Sequence, residues 1–333
     1  MNNSVPITYS IIDKQYLLQI VQNRYAVGNL INIQFHIRSL NDSYLIKTNE
    51  NRYILRVYRK WQSWDDVGFE VDWIAYLNHQ NIKTTQLIPQ KDGTLFFSID
   101  APEGHRSLAL FLYVENISHR PLTKSTAYTS GLALAQLHQA SLPFKSQYNR
   151  FSLEQSHLID EPLKGIDRWY QQTSLKEQLP IIHQYALRAK KCLNSLTKNP
   201  QEYGPCHGDT HFGNVLFTEQ NEAIWMDFEC CGMGWWVYDL ACFYWALKIK
   251  WAGWSIEYQD PDDIIWQAFI DGYQSIRSID QHQWQVFPDF VIARGIWALG
   301  LHPNNIDDWT TQTMDDSGDF FLKHLELFKT LSS

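Results

Sequence analysis

Paired cysteines are missing from this chain. Its five, Cys192, Cys206, Cys230, Cys231 and Cys242, are odd in number and show no CxxC spacing. No disulfide framework of a secreted module is encoded, and a reducing cytoplasm is the expected setting. A long hydrophobic run is missing as well. The most apolar stretch, residues 235–247, is interrupted by Asp239 and falls short of the roughly 18 apolar residues of a membrane span, so it predicts a buried helix. The start, residues 1–20, has neither a basic segment nor a continuous apolar core, which argues against a secretory signal. Positive charge is scarce too. Lys and Arg number 28 against 36 Asp and Glu, a net charge of -8, so no broad basic surface for nucleic acid or anionic lipid is expected, while cationic small molecules remain compatible.

What is present is an ordinary globular composition, 44% hydrophobic and 19% charged over 333 residues, enough for one large domain or two. Residues 34–37, 43–48 and 52–58 read as strands joined by polar turns at Asn41-Asp42 and at residues 49–51. Residues 65–79 place Val67, Val71, Ile74, Ala75 and Leu77 at near-helical spacing, with Asp65 and Asp66 suited to a helix start. Strand character resumes at 86–89, 94–99 and 109–114, around an Asp92-Gly93 turn. Beyond Asn116 amphipathic helices take over, first at 125–139 and again across 160–196. A small β element at 215–217 and 223–226 follows, then helices from 237 to the end, expected to break at Pro261, Pro288 and Pro303. The domain boundary falls near residues 113–120.

The densest group of reactive side chains is His207-Gly208-Asp209-Thr210-His211-Phe212-Gly213-Asn214, followed after two short strands by Met226-Asp227-Phe228-Glu229. Phosphoryl transfer needs a carboxylate near the attacking hydroxyl and hard oxygen ligands for Mg²⁺. Asp209, Asn214 and Asp227 supply that set, and a hairpin between Asn214 and Asp227 would return the second carboxylate to the same metal. Transition-metal hydrolysis by His207, Asp209 and His211 is the competing chemistry. It requires a strand where Gly208 and Gly213 favour a loop, and it leaves Asn214 and Asp227 idle.

These motifs, with Tyr238-Asp239-Leu240-Ala241, Leu134-Ala135-Gln136-Leu137-His138 and Asn41-Asp42-Ser43-Tyr44, resemble the aminoglycoside phosphotransferase and choline kinase superfamily, including its homoserine-kinase-like and stress-response-kinase-like relatives. The resemblance spans about residues 25–245. It implies an α+β, bilobal protein-kinase-like fold: a nucleotide-binding, β-rich N-lobe with one main helix over residues 1–115, and a helical catalytic and substrate-binding C-lobe over 116–333. By the same resemblance Asp209 would orient the acceptor hydroxyl and take its proton, and Asn214 and Asp227 would bind Mg²⁺. Arg56, where the family usually carries Lys and in some branches Arg, would hold the phosphates of ATP or GTP, with Glu70 as its ion-pair partner. The family's glycine-rich phosphate loop is replaced by residues 37–43, which contain no glycine, so Ser39, Asn41 and Ser43 would bond phosphate through side chains. The adenine would meet the backbone near residues 112–115. His207 and Asp239 are expected to support the loop.

The C-terminal region interleaves Glu257, Asp260, Asp262, Asp263, Asp307, Asp308, Asp315, Asp316 and Asp319 with Trp235, Trp236, Trp251, Trp254, Trp266, Trp297 and Trp309. Carboxylates beside aromatic faces suit a cationic amine, so the expected acceptor is a small amine-bearing alcohol: an aminoglycoside, an amino alcohol or a choline-like molecule. A Ser/Thr protein kinase on the same fold and a nucleotide-binding pseudo-enzyme are the alternatives.

Overall fold

Residues 42–57 alternate apolar and polar side chains, and the structure, a computed structural model, turns that alternation into two paired strands. It describes residues 7–38, 40–113, 121–251, 257–305 and 318–332. Tyr44 and Ile46 of β2 (Asp42–Thr48) and Tyr53, Leu55 and Val57 of β3 (Arg52–Val57) share one buried face. With β1 (Leu30–Arg38), β4 (Phe96–Ala101) and β5 (Gly104–Leu112) they make an antiparallel sheet in the order β1-β2-β3-β5-β4. Leu17 and Val21 of helix α1 (Lys14–Arg24) join the core on that face. Arg56 alternates to the other face, toward α2 (Trp64–His79).

The α2 start lies one step earlier than the paired aspartates suggest. Ser63 caps it, accepting the Asp66 N–H, and Asp66 returns the bond to the Ser63 N–H; such a cap contributes about 1 kcal/mol. Residues 86–89, expected as a strand, make only an isolated bridge, Leu87 to Phe111, beside β5.

The remaining elements are helical apart from two small ladders. Helices α3 (Lys124–Ser141), α4 (Glu161–Tyr170) and α5 (Leu179–Ser195) precede β6 (Tyr203–Cys206), β7 (Val215–Phe217), β8 (Ala223–Trp225) and β9 (Gly232–Trp235). Strand β6 pairs with β9, and β7 with β8. Then come α6 (Val237–Ile249), α7 (Asp262–Gln274), α8 (Gln281–Asn305) and α9 (Asp319–Thr330). Helices α3 and α7 approach backbone to backbone: a Cβ at Gly131 would collide with the Phe269 carbonyl, and one at Gly272 with the Tyr128 carbonyl.

The expected breaks at Pro288 and Pro303 do not occur, since α8 runs through both. Pro303 sits in its last turn, and Pro288 forgoes one bond in the first half. Packing against α4, α5 and α6 outweighs that loss: Phe290, Val291, Ile292, Ala293 and Ile296 have no exposure. Pro261 does end its segment, standing immediately before α7. Among the described residues no helix is long and apolar enough to cross a membrane.

The chain divides into two compact units. One comprises the described residues of Met1–Ile117 together with Phe144–Arg150, the other those of Ser118–Pro143 and Phe151–Ser333. The short return segment is packed on α2: Phe144 meets the Phe69 ring edge-on at 5.9 Å, and Arg150 donates to the Asp66 carbonyl at 2.7 Å.

Candidate active site

A loop that must present a carboxylate at a fixed angle needs its own backbone held, and the helical unit supplies the holding groups. Asp239, buried in the first turn of α6, accepts the His207 N–H at 2.7 Å through Oδ2 and the Gly208 N–H at 2.8 Å through Oδ1. Thr210 Oγ1 donates to the Asp239 carbonyl. His138 of α3 fixes Asp239 in turn, with Nε2 2.9 Å from Oδ2 and Nδ1 2.9 Å from the Tyr273 hydroxyl of α7. Burial lowers the His138 pKa despite the neighbouring Asp239 carboxylate. The loop anchor inferred from Tyr238-Asp239 is therefore a chain of contacts from three helices.

His207 serves the same end. Its Nε2 faces the Met226 carbonyl at 2.9 Å, and its Nδ1 accepts the Asp209 N–H at 3.3 Å. Burial pushes its pKa down. Gly208 takes the left-handed conformation at φ 80°, where a Cβ would strike the Cys230 carbonyl.

Asp209 projects from this frame with its side chain 20% exposed. Asn214 Nδ2 donates to Asp209 Oδ2 at 3.1 Å and to its carbonyl at 2.9 Å. Both donations use the amide nitrogen, so the Asn214 oxygen is the atom it offers to a hard cation. His211 Nε2 lies 3.4 Å from Oδ2, while its Nδ1 accepts the Gly213 N–H at 3.0 Å. Arg294, from the middle of α8, donates to Asp209 Oδ1. Burial opposes ionisation of Asp209, but His211 at Oδ2 and the Arg294 guanidinium at Oδ1 outweigh it and hold the carboxyl well below the usual range.

The β7–β8 hairpin closes the arrangement. Val215 pairs with Trp225, and the Met226 N–H continues the ladder to the Asn214 carbonyl at 2.9 Å. Asp227 is thereby delivered one residue beyond a direct tie to Asn214, in the left-handed conformation at φ 64°. A carboxylate and an amide oxygen suit Mg²⁺ or Ca²⁺. The histidines are otherwise employed, and among the described residues no group of three His, Cys, Asp or Glu is arranged to hold a metal.

The sheet unit holds the other expected residues. Arg56 Nη1 lies 3.0 Å from Oε1 of Glu70, which has no exposure, and the Tyr58 hydroxyl donates to the same oxygen at 3.0 Å. Ser43 sits opposite Arg56 in the β2–β3 register. Asn41 is buried, and its Oδ1 accepts the Arg59 N–H at 2.9 Å; that oxygen holds the turn. Ser39 lies outside the described residues, as do two of the four residues expected near the adenine, Val114 and Glu115.

The acid and aromatic residues expected to face an amine are distributed differently. Trp235 and Trp236 are core residues, and Trp266 packs on Phe269 and Phe287. Asp260 accepts the Lys124 N–H at 2.7 Å, and Asp262 pairs with Lys248 and Lys250. Trp254, Asp307, Asp308, Trp309, Asp315 and Asp316 lie outside the described residues. His211, named above only as a candidate metal ligand, instead faces Asp209, and Arg294 is the neighbour of Asp209 that the motifs did not announce. A lone arginine within the apolar run of residues 290–301 was the available signal, because a charge so placed needs a partner.

A family model described as the phosphotransferase enzyme family matches residues 33–279. An uncharacterised protein of Deinococcus radiodurans is 31% identical over 312 residues, covering 93% of this chain and 88% of the relative. Among solved structures, a microcompartment-associated aminopropanol kinase superposes with a TM-score of 0.74 at 21% identity, covering 95% of each chain. An amicoumacin kinase in complex with AMP-PNP, Ca²⁺ and Ami also gives 0.74, at 20% identity, over 96% of this chain and 94% of that one. The mixed fold, an antiparallel sheet followed by a helical part, is the one these kinases share.

Proposed function

The chain belongs to the phosphotransferase enzyme family, and on that premise we propose that it moves the γ-phosphoryl group of ATP to a hydroxyl of a small, amine-bearing molecule. The observation that carries this reading is the convergence of Asp209, Asn214 and Asp227 at one end of the β7–β8 hairpin. Asp209 orients the acceptor hydroxyl for in-line attack through a hydrogen bond to its carboxylate. Held at low pKa, Asp209 is a weak base, which suits a loose transition state in which the hydroxyl proton leaves late. Asn214 and Asp227 would hold Mg²⁺, which would supply positive charge to offset that of the nucleotide phosphates. An amine on the acceptor is favoured by the net charge of -8 and by the aminopropanol in the name of one structural neighbour.

Mg²⁺-dependent ADP release from ATP, across amino alcohols, aminoglycosides, choline-like amines and a generic protein, tests the reading. Release stimulated by one amine-bearing class is expected. Stimulation by the protein alone, or by no acceptor although ATP binds, overturns it.

Arg56 binds nucleotide phosphate in this reading, and Glu70 sets its direction. A charge-assisted hydrogen bond contributes about 1.5–3 kcal/mol. Arg56→Ala should therefore raise KM for ATP by roughly 10- to 100-fold with a smaller change in kcat. An unchanged ATP affinity in a titration of the variant would remove Arg56 from the site.

A further inference from the structure

We propose that Arg294 is a positioning residue for the transfer reaction: from α8, outside the loop motifs, it fixes the direction of the Asp209 carboxylate. The inference rests on the reading of Asp209 given above. Arg294 is 2% exposed, in a helix whose neighbouring side chains Ile292, Ala293 and Ile296 have no exposure. Removing a guanidinium from water costs several kcal/mol unless its donors are met. Here the two terminal nitrogens find acceptors on two adjacent residues of one loop, while Nε is left without a hydrogen-bond partner among the described residues. Nη1 donates to the Gly208 carbonyl at 3.1 Å, and Nη2 donates to Asp209 Oδ1.

That fork ties the Asp209 side chain to the peptide just before it. A planar group with fixed donor directions can do this, whereas the point charge of a lysine holds one acceptor at a time. The plane itself is fixed by aromatic faces: the Arg294 Cζ lies 4.6 Å from the Trp245 ring and 4.5 Å from that of Trp297. Trp245 is held in turn, its Nε1 donating to Nε2 of His324 on α9 at 2.8 Å.

A purely structural role leaves part of this geometry without purpose. Asp239 already accepts the backbone N–H groups of His207 and Gly208, so the loop is located without Arg294. Asn214 and His211 reach only Oδ2 of Asp209. Oδ1 is the atom that Arg294 alone bonds among these neighbours, and one fixed oxygen leaves the carboxylate free to swing about its Cβ. Nor is the guanidinium placed to grip a phosphoryl group, since it is buried and both terminal nitrogens are engaged.

Full-length Arg294→Lys and Arg294→Gln test the proposal. With an acceptor that the wild type uses, kcat is expected to fall about tenfold in the lysine variant and about 100-fold in the glutamine variant, while KM for ATP stays within about twofold. Combined with Asp209→Asn, or with Asp209→Glu if the asparagine variant gives no measurable rate, the glutamine change should cost less than about twofold more, because no correctly placed carboxylate remains to be positioned. Crystal structures of the Arg294 variants should show the 207–214 backbone in place and the Asp209 side chain turned away. Unchanged kcat in both variants, a loss carried by KM, or full additivity with the Asp209 change overturns the inference. A wild type that binds ATP but phosphorylates nothing would refute the functional reading instead. The positioning role is then judged on the crystal structures, where an unmoved Asp209 in Arg294→Gln overturns it.

Discussion

Asp209→Ala is expected to reduce kcat by about 10³-fold or more while Mg-ATP still binds. Orientation and proton acceptance by a placed carboxylate contribute about 10²- to 10⁴-fold in transfer reactions, equivalent to about 3–5 kcal/mol of barrier at 1.36 kcal/mol per tenfold. The alanine variant carries a second cost, because it leaves the Arg294 guanidinium buried without its carboxylate. Losing one member of such a pair is strongly destabilising, although the 20% exposure of Asp209 tempers the effect. Asp209→Asn keeps the shape and an oxygen for Arg294, so it isolates chemistry from stability. A coupled ADP assay beside a nucleotide-binding titration reads both. A variant that retains a tenth of wild-type kcat would show that another group takes the acceptor proton.

Asp227→Asn should instead lose the metal-dependent part of nucleotide affinity, by about 100-fold, or nearly 3 kcal/mol. Asparagine is the chosen replacement because residue 227 is left-handed, at φ 64°, and asparagine adopts that conformation readily. The contrast is with chelation. EDTA should weaken ATP binding to the wild type as much as the substitution does, and should have little further effect on the variant. Equal Mg-ATP affinity in variant and wild type would exclude Asp227 as a ligand. The two substitutions are thus expected to separate: the Asp209 change loses turnover and keeps binding, while the Asp227 change loses binding first.

The geometry of the 207–214 loop was legible because its residues meet locally. Asp209 and Asn214 lie five positions apart and meet within one loop, and the short alternating segments at 215–217 and 223–226 announced the hairpin that returns Asp227. The Arg56–Glu70 pair was legible through the resemblance, since a strand and the next helix had to supply it. What escaped depended on tertiary contact. Helix α1 spreads Tyr16, Leu17, Leu18, Ile20 and Val21 over a wide arc and fully buries only Leu17 and Val21, so no single apolar stripe announced it. Pro288 and Pro303 were read as breaks because the packing that carries α8 through them comes from three other helices. The Asn41 oxygen, in the glycine-free turn, also holds the Arg59 N–H, a bond to a residue 18 positions away that the turn itself does not announce. Arg294 escaped for the same reason as α8 itself: its partner lies 85 positions away.

The seven residues Phe144–Arg150 that rejoin the sheet unit bear on how the protein is made. A ribosome that has delivered everything up to Ile117 has not delivered a complete first unit, because Phe144 and Tyr148, which meet Phe69 and Gly68 of α2, are still to be synthesised. The sheet can close early, but the outer face of α2 stays wet until α3 has also emerged. Folding of the first unit is therefore coupled to translation of the second. A gene fragment ending near the sequence boundary would yield a sheet with an exposed apolar helix face, the kind of surface that chaperones hold and that aggregates when they do not.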